Sequence, residues 1–280
     1  MRPTYISAGA RRMRSCLYVA VHLAVVVMLM IPTSAAGGRG GFGENVGQQS
    51  NKVILSVEDP RPVAKAIVML EGSYGWTITY EDPRYGYAAE ITDVTEKVRR
   101  DLHKYQKGAA PRVFIPKGGE LVFEYYVVTP TNLPPDPGLV VQQLLDAQAA
   151  SANSARFRME RSDKLIHVIP IAIKNSTGKL VPQESVLDAV ITLPAKERTG
   201  LQTLEALCTA ISKRTHMPVI VGAIPLTMFL QHKDQEGADS QRARETLSQL
   251  LERTGKGMKL SWQLFYDPGM KIYALNIHVV

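Results

Sequence analysis

Two pairs of adjacent carboxylates, Glu58-Asp59 and Glu81-Asp82, are the residues of this chain best suited to general acid and base work. A glycoside hydrolase needs two carboxyl groups about 5–10 Å apart across a cleft, one of them with a raised pKa. Here each pair is followed directly by proline, Pro60 or Pro83. Helix capping and turn formation therefore account for both without catalysis. The histidines beyond the first 36 residues are His103, His167, His216, His232 and His278, and none stands at metal-ligand spacing from another His or a Cys. His167 and His278 occupy comparable places in two strand-like stretches and read as strand residues in polar surroundings. Cys208 falls on the helical stripe Leu204, Leu207, Cys208, Ile211, which suits a small buried residue better than a nucleophile. HExxH, CxxC, Gly-x-Ser-x-Gly and a phosphate loop are all missing from the sequence. No catalytic residue, cofactor or metal site is assigned.

The compartment is easier to read. Arg2, Arg11, Arg12 and Arg14 precede an apolar run, Cys16 to Ile31, and then PTSAA. Basic, apolar, small is the order of a secretory signal peptide, here residues 1–36 with cleavage expected after Ala36. A run of this length with His22 inside it is short for a membrane span, which needs about 20 residues. An uncleaved leader anchoring the protein in an inner membrane is the alternative. Of 33 basic residues the leader carries four and of 26 acidic ones none, so 29 and 26 remain and the net charge falls from +7 to +3. With no basic block in that remainder, no nucleic-acid partner is expected. Once the leader is gone no membrane segment remains, and Cys208 stands alone, so stability must come from apolar burial.

Positioning elements follow from periodicity. Residues 37–51 are glycine-rich and polar and read as a flexible segment. A first domain is expected over 52–174. It has a strand at VILSV, a helix from Val63 to Leu70 capped by Asp59, and a strand at Trp76–Asp82 with YGYAAEI pairing back. A strand at Glu120–Val127, a helix after Asp136 and two strands around Arg161–Lys164 complete it. An insertion at about 85–117 carries VTEKVRRDLHKYQKG as a polar helix. Residues 175–185 are the linker, and a second domain is expected over 186–280. Its strands are Val186–Leu193, Pro218–Val221, Leu226–Leu230 and a closing pair around Asp267-Pro268-Gly269. Its helices are Leu201–Arg214, opened by the capping box of Thr199 and Gln202, and a later one capped by Asp239 or Ser240. The fold class is α+β: two tandem small domains in strand-helix-strand-strand-helix-strand-strand order, with helices on small mixed sheets.

Leu193-Pro194-Ala195, the helix LEALCTAIS and the stretch TLSQLLERTGKGMKLSW resemble the short N-terminal domain of secretins and TonB-dependent receptors. Leu250 to Gly255 match the centre of that family's pattern, and Lys256 to Lys259 are inserted before the strand. RPVAKAIVMLEGSYGWTITYED in the first domain resembles it more loosely, without the Thr-Gly. The resemblance implies a periplasmic module that contacts an envelope protein rather than an enzyme. No barrel or secretin core is expected behind these domains, and the oligomeric state is not encoded in any motif. The other reading is a glycan- or cell-wall-acting protein using the paired acids and two aromatic hairpins. Trp76-Ile78-Tyr80 and Leu260-Trp262-Leu264-Tyr266 alternate as core faces should. Tyr85 and Phe265 lie off those faces and are the candidate interaction surface.

Overall fold

The computed structural model describes residues 49–106, 110–129, 134–151, 155–162, 164–235 and 237–280. The expected leader, its cleavage site at Ala36 and most of the glycine-rich segment lie outside them. Among the described residues no helix is long and apolar enough to cross a membrane.

The protein is α+β. β1 (Gln49–Asp59) leads into α1 (Pro62–Tyr74) and β2 (Thr77–Glu81). Arg61, not Asp59, is the N-cap of α1, and Pro62 sits in its first turn, where a missing N–H costs nothing. Gly75 ends the helix at φ +64°, a left-handed conformation glycine adopts without a Cβ clash, and its N–H bonds Glu71 O at 2.7 Å. The inserted segment holds β3 (Ile91–Asp93), α2 (Thr95–Val98) and β4 (Phe114–Pro116). Over its described residues the long polar helix expected here is broken into one α turn and a 3-10 turn at Leu102–Lys104, because Arg99 is extended between them and no apolar stripe favours continuing the helix. YGYAAEI does not pair back on β2 either: Ala88–Glu90 form a 3-10 turn and β3 pairs with β4. β5 (Gly119–Thr129), α3 (Pro137–Ala150), β6 (Arg156–Arg161) and β7 (Leu165–Lys174) close the first half. Asp136 caps α3 by accepting from Leu139 N at 3.0 Å.

In this half β1 pairs antiparallel with β5 as a separate ribbon, whose register starts at Gln49 inside the segment expected to be flexible. β2 runs parallel to β7, and β7 antiparallel to β6. Ile67 and Leu70 of α1 and Val141 and Leu144 of α3 form one core with Leu55 and Phe123 of the ribbon and Ile78 and Val168 of the sheet. Each such fully buried side chain contributes about 1.5–3 kcal/mol.

After β7 the chain does not hang free. β8 (Leu180–Pro182) lies inside the expected linker and pairs with β7. A 3-10 turn at Val186–Asp188 replaces the start of the expected strand, which begins only at β9 (Val190–Leu193). β10 (Arg198–Thr199), α4 (Gly200–Thr215), β11 (Val219–Val221), α5 (Leu226–Gln231), β12 (Lys233–Asp234), β13 (Ala238–Arg242), α6 (Ala243–Gly255), β14 (Leu260–Asp267) and β15 (Ile272–Val279) follow. The capping box of Thr199 and Gln202 opens α4. The N-cap of α6 is Arg242 rather than Asp239 or Ser240. Leu226–Leu230, expected as a strand, is the helix α5, with Phe229 turned inward.

The pairing of the first half recurs: β13 with β9, β11 parallel to β15, and β15 antiparallel to β14. A second core holds Leu204, Leu207 and Cys208 of α4, Leu247 and Leu250 of α6, and Trp262, Leu264 and Leu275. The two three-stranded sheets are joined edge to edge where β14 runs parallel to β2. The result is the order β11-β15-β14-β2-β7-β6, with β8 on β7.

Candidate functional site

The join between the halves gathers the polar residues that the sequence singles out. Successive side chains of a strand point to opposite faces. On β2, Ile78 and Tyr80 enter the first core. Thr79 and Glu81 therefore face the other way, toward the helices of the second half. On β14, Leu260, Trp262, Leu264 and Tyr266 enter the second core, while Phe265 packs against the first. Helices from opposite halves thus cover opposite faces of the joined sheet.

Glu81 is 1% exposed. It accepts close hydrogen bonds from Arg244 Nη1 and from Ser185 Oγ. Arg244 Nη2 also donates to Ser185 Oγ at 3.1 Å and to Asp188 at 3.0 Å, and Arg158 meets Asp188 at 3.0 Å. Burial pushes the Glu81 carboxyl upward, and the Arg244 charge and the Ser185 hydroxyl pull it back. Beside it, Thr79 Oγ1 and His167 Nδ1 share a 2.7 Å hydrogen bond, and the imidazole stacks on Trp262 with ring centres 6.0 Å apart. Burial, with Arg244 nearby, depresses His167 to about 4, so the ring is neutral.

Asp82, fully buried, belongs to the opposite face. It accepts from Arg61 Nε at 2.5 Å, Tyr80 Oη at 2.9 Å and Tyr266 N at 3.0 Å. Arg61 Nη2 donates onward to Tyr266 O at 2.9 Å, and its guanidinium lies 4.8 Å from the centre of the Phe265 ring. Burial raises the Asp82 carboxyl while the Arg61 charge lowers it; burial opposes the Arg61 charge, but Asp82 holds that guanidinium's pKa above its ordinary value. A third bridge runs from α1: Glu71 accepts from Ile78 N at 3.0 Å and meets His278 Nε2 at 2.8 Å.

The adjacent acids thus reach in opposite directions, each to an arginine at the start of a helix. Glu58 is exposed, and Asp59 Oδ1 accepts from Arg61 N at 2.7 Å in a local turn. Glu81 and Asp82 have the raised proton affinity of a general acid, but both are sealed and consumed by arginine, serine, tyrosine and backbone donors. Cys208 is a free, buried thiol pushed up to about 12 by burial. Among the described residues no group of three or more His, Cys, Asp or Glu could hold a metal.

Tyr85 and Phe265, expected at the surface, are both half-buried. Tyr85 packs on the second core and Phe265 on the first, so each ring belongs to the seam rather than to an open patch. Sequence reasoning missed Arg61, Arg244, Ser185 and Asp188. One signal was available for Arg244: it lies three residues before Leu247 and seven before Leu251, a charge on an otherwise apolar stripe. No protein-family model, curated protein or solved structure matches this chain.

Proposed function

We propose that the chain is an exported, non-enzymatic protein-interaction module of the bacterial envelope, built from two tandem short N-terminal-like domains. The repeated pairing carries this reading. In each half two helices lie between a two-stranded ribbon (β1·β5 or β9·β13) and a three-stranded sheet (β2-β7-β6 or β11-β15-β14). Element order alone could coincide; the same parallel and antiparallel neighbours twice over argue for duplication. An interaction role is supported by what the conspicuous acids do. Glu81 and Asp82 spend their charge on holding the halves together, which argues against the glycan-acting alternative. The signal-like leader supports a location outside the cytoplasm.

The full-length gene product expressed in a Gram-negative host tests both parts. Mass spectrometry of the periplasmic fraction is expected to find a mature chain beginning at Gly37. Cross-linking in intact cells is expected to join it reproducibly to one envelope protein. Retention of the leader in the cytoplasm, or a chain that stays uncrosslinked at native expression, would overturn the reading.

A further inference from the structure

A groove of about 900 Å3 opens at one end of the seam. Its origin is the way β2 and β14 meet. They share only the register pairs Gln263↔Tyr80 and Leu264↔Glu81. Toward their N-terminal ends side chains do the bridging instead: Ser261 Oγ donates to Ile78 O at 3.1 Å and Lys259 Nζ to Gly75 O at 2.7 Å. The groove occupies that end, between the start of β2, the end of β6 with Ser162, Lys164 and the start of β7, and the last turns of α6 with the loop behind it. Its size lies near the upper end of the range for ligand-binding clefts.

The lining is amphipathic. Trp76 is half-buried and held by Tyr74, stacked at 4.4 Å and 18°, and Met258 is 52% exposed. Around these lie Arg161, Lys164 and Lys259, with Glu252 as the acid among the described lining residues. Arg161 is held by Asp136 at 3.0 Å. Lys164 and Lys259 are exposed, and Lys259 keeps donors to spare beyond its bond to Gly75. An apolar floor beneath a basic rim fits a ligand that offers apolar side chains and carboxylates together.

We propose that this groove binds an extended acidic segment of a partner protein, with an apolar side chain against Trp76 and Met258 and carboxylates at Lys164 and Lys259. The inference rests on the protein-interaction reading above and names the chemistry of its partner. Charge complementarity of this kind sets specificity and encounter rate more than raw affinity.

The molecule carries its own reporter, since both of its tryptophans, Trp76 and Trp262, line the groove. Tryptophan emission of the intact mature chain is titrated with a synthetic peptide of alternating glutamate and leucine. Parallel titrations use the glutamine-leucine and lysine-leucine peptides and polygalacturonate as an anionic glycan. A saturable shift with the acidic peptide, weakened by salt and missing with the other peptides, is expected. K164E/K259E should weaken binding at least about tenfold, a cost of about 1.4 kcal/mol. K164E alone, which leaves the Lys259 bond to Gly75 intact, should weaken it about threefold with an unchanged melting curve. An equal response to the glutamine peptide, indifference to K164E, no response at all, or a response to polygalacturonate alone would overturn the assignment. A cross-linked partner retained unchanged by K164E/K259E would also overturn it while leaving the protein-interaction reading standing. Failure of the wild-type chain to cross-link would remove that reading itself.

Discussion

Residues 49–174 and 186–279 build their cores with the same pairing, yet they fasten themselves to each other by two different devices. The first half sends Arg61 to Asp82, the acid just after its own strand β2, and reaches the second half through Tyr266 O. The second half sends Arg244 across the seam to Glu81, with Ser185 and Asp188 completing the cluster. Asp82 keeps three further donors, Tyr80 Oη, Tyr266 N and, at 3.5 Å, Tyr85 Oη, whereas Glu81 depends on Arg244 and Ser185. Arg61's side chain is 20% exposed and Arg244's 4%. The difference teaches that an apolar core fixes each half, while the relation between the halves rests on a few buried charges.

The largest effect should come from separating those charges. Removing one partner of a buried pair typically costs about 3–5 kcal/mol, because the other is left uncompensated, while replacing both can be nearly neutral. R244M is therefore expected to lower the free energy of unfolding in urea by about 3–5 kcal/mol, and E81Q/R244M to recover most of that. R61M should cost less, about 1–3 kcal/mol, since Asp82 keeps its other hydrogen bonds and Arg61 is partly solvated. R61M proving the costlier change would break the comparison. An R244M chain that unfolds in two steps would sharpen it, since each core would then be melting by itself.

His167 and His278 extend the contrast, although the expected equivalence fails: His167 is near the start of β7 and His278 near the end of β15. The first is 8% exposed beneath Arg244 and Trp262, the second meets Glu71. The folded state holds His167 at about 4 against 6.5 for a free imidazole. The unfolded chain therefore binds more protons between these values, and stability is lost as pH falls through that window. The loss attributable to His167 is about 3 kcal/mol, to be read as the stability difference between wild type and H167Q from pH 7 down to pH 4. A constant difference across that range would show the imidazole to be solvated.

Much of the local architecture was legible in the sequence because it is local. The capping box of Thr199 and Gln202, the stripe through Leu204, Leu207 and Cys208, and the alternation of Trp262, Leu264 and Tyr266 each lie within one element. LTMFLQ was misread because so short a segment satisfies both periods; Leu226, Phe229 and Leu230 fit i, i+3, i+4 as well as they fit a strand. The union of β2 with β14 had no local signature. A parallel pair so far apart in sequence is chosen by edge availability and by partners such as Arg244 and Glu81, which no periodicity connects. The proline after each acid pair suggested that Asp59 caps a helix, whereas Arg61 is the N-cap of α1 and Asp59 ends β1 with a local bond from Arg61 N. The same proline concealed that Glu81 and Asp82 face opposite helices.

The smallest difference between the halves lies at their helix ends. α1 stops on Gly75 at φ +64°, while α6 stops on Lys256 at φ +47°. A side chain in the left-handed region costs roughly 1 kcal/mol, which glycine avoids. K256G is therefore expected to raise stability by about 0.5–1 kcal/mol, and G75A to lower it by a similar amount. Lys256 is exposed, so the gain should come from backbone conformation alone and leave the urea dependence of unfolding unchanged. Equal and opposite shifts would show that α1 and α6 share one way of ending a helix and differ only in how well the residue suits it. No gain from K256G would mean that the loop from Lys256 to Lys259 holds its turn through contacts the first half does not have.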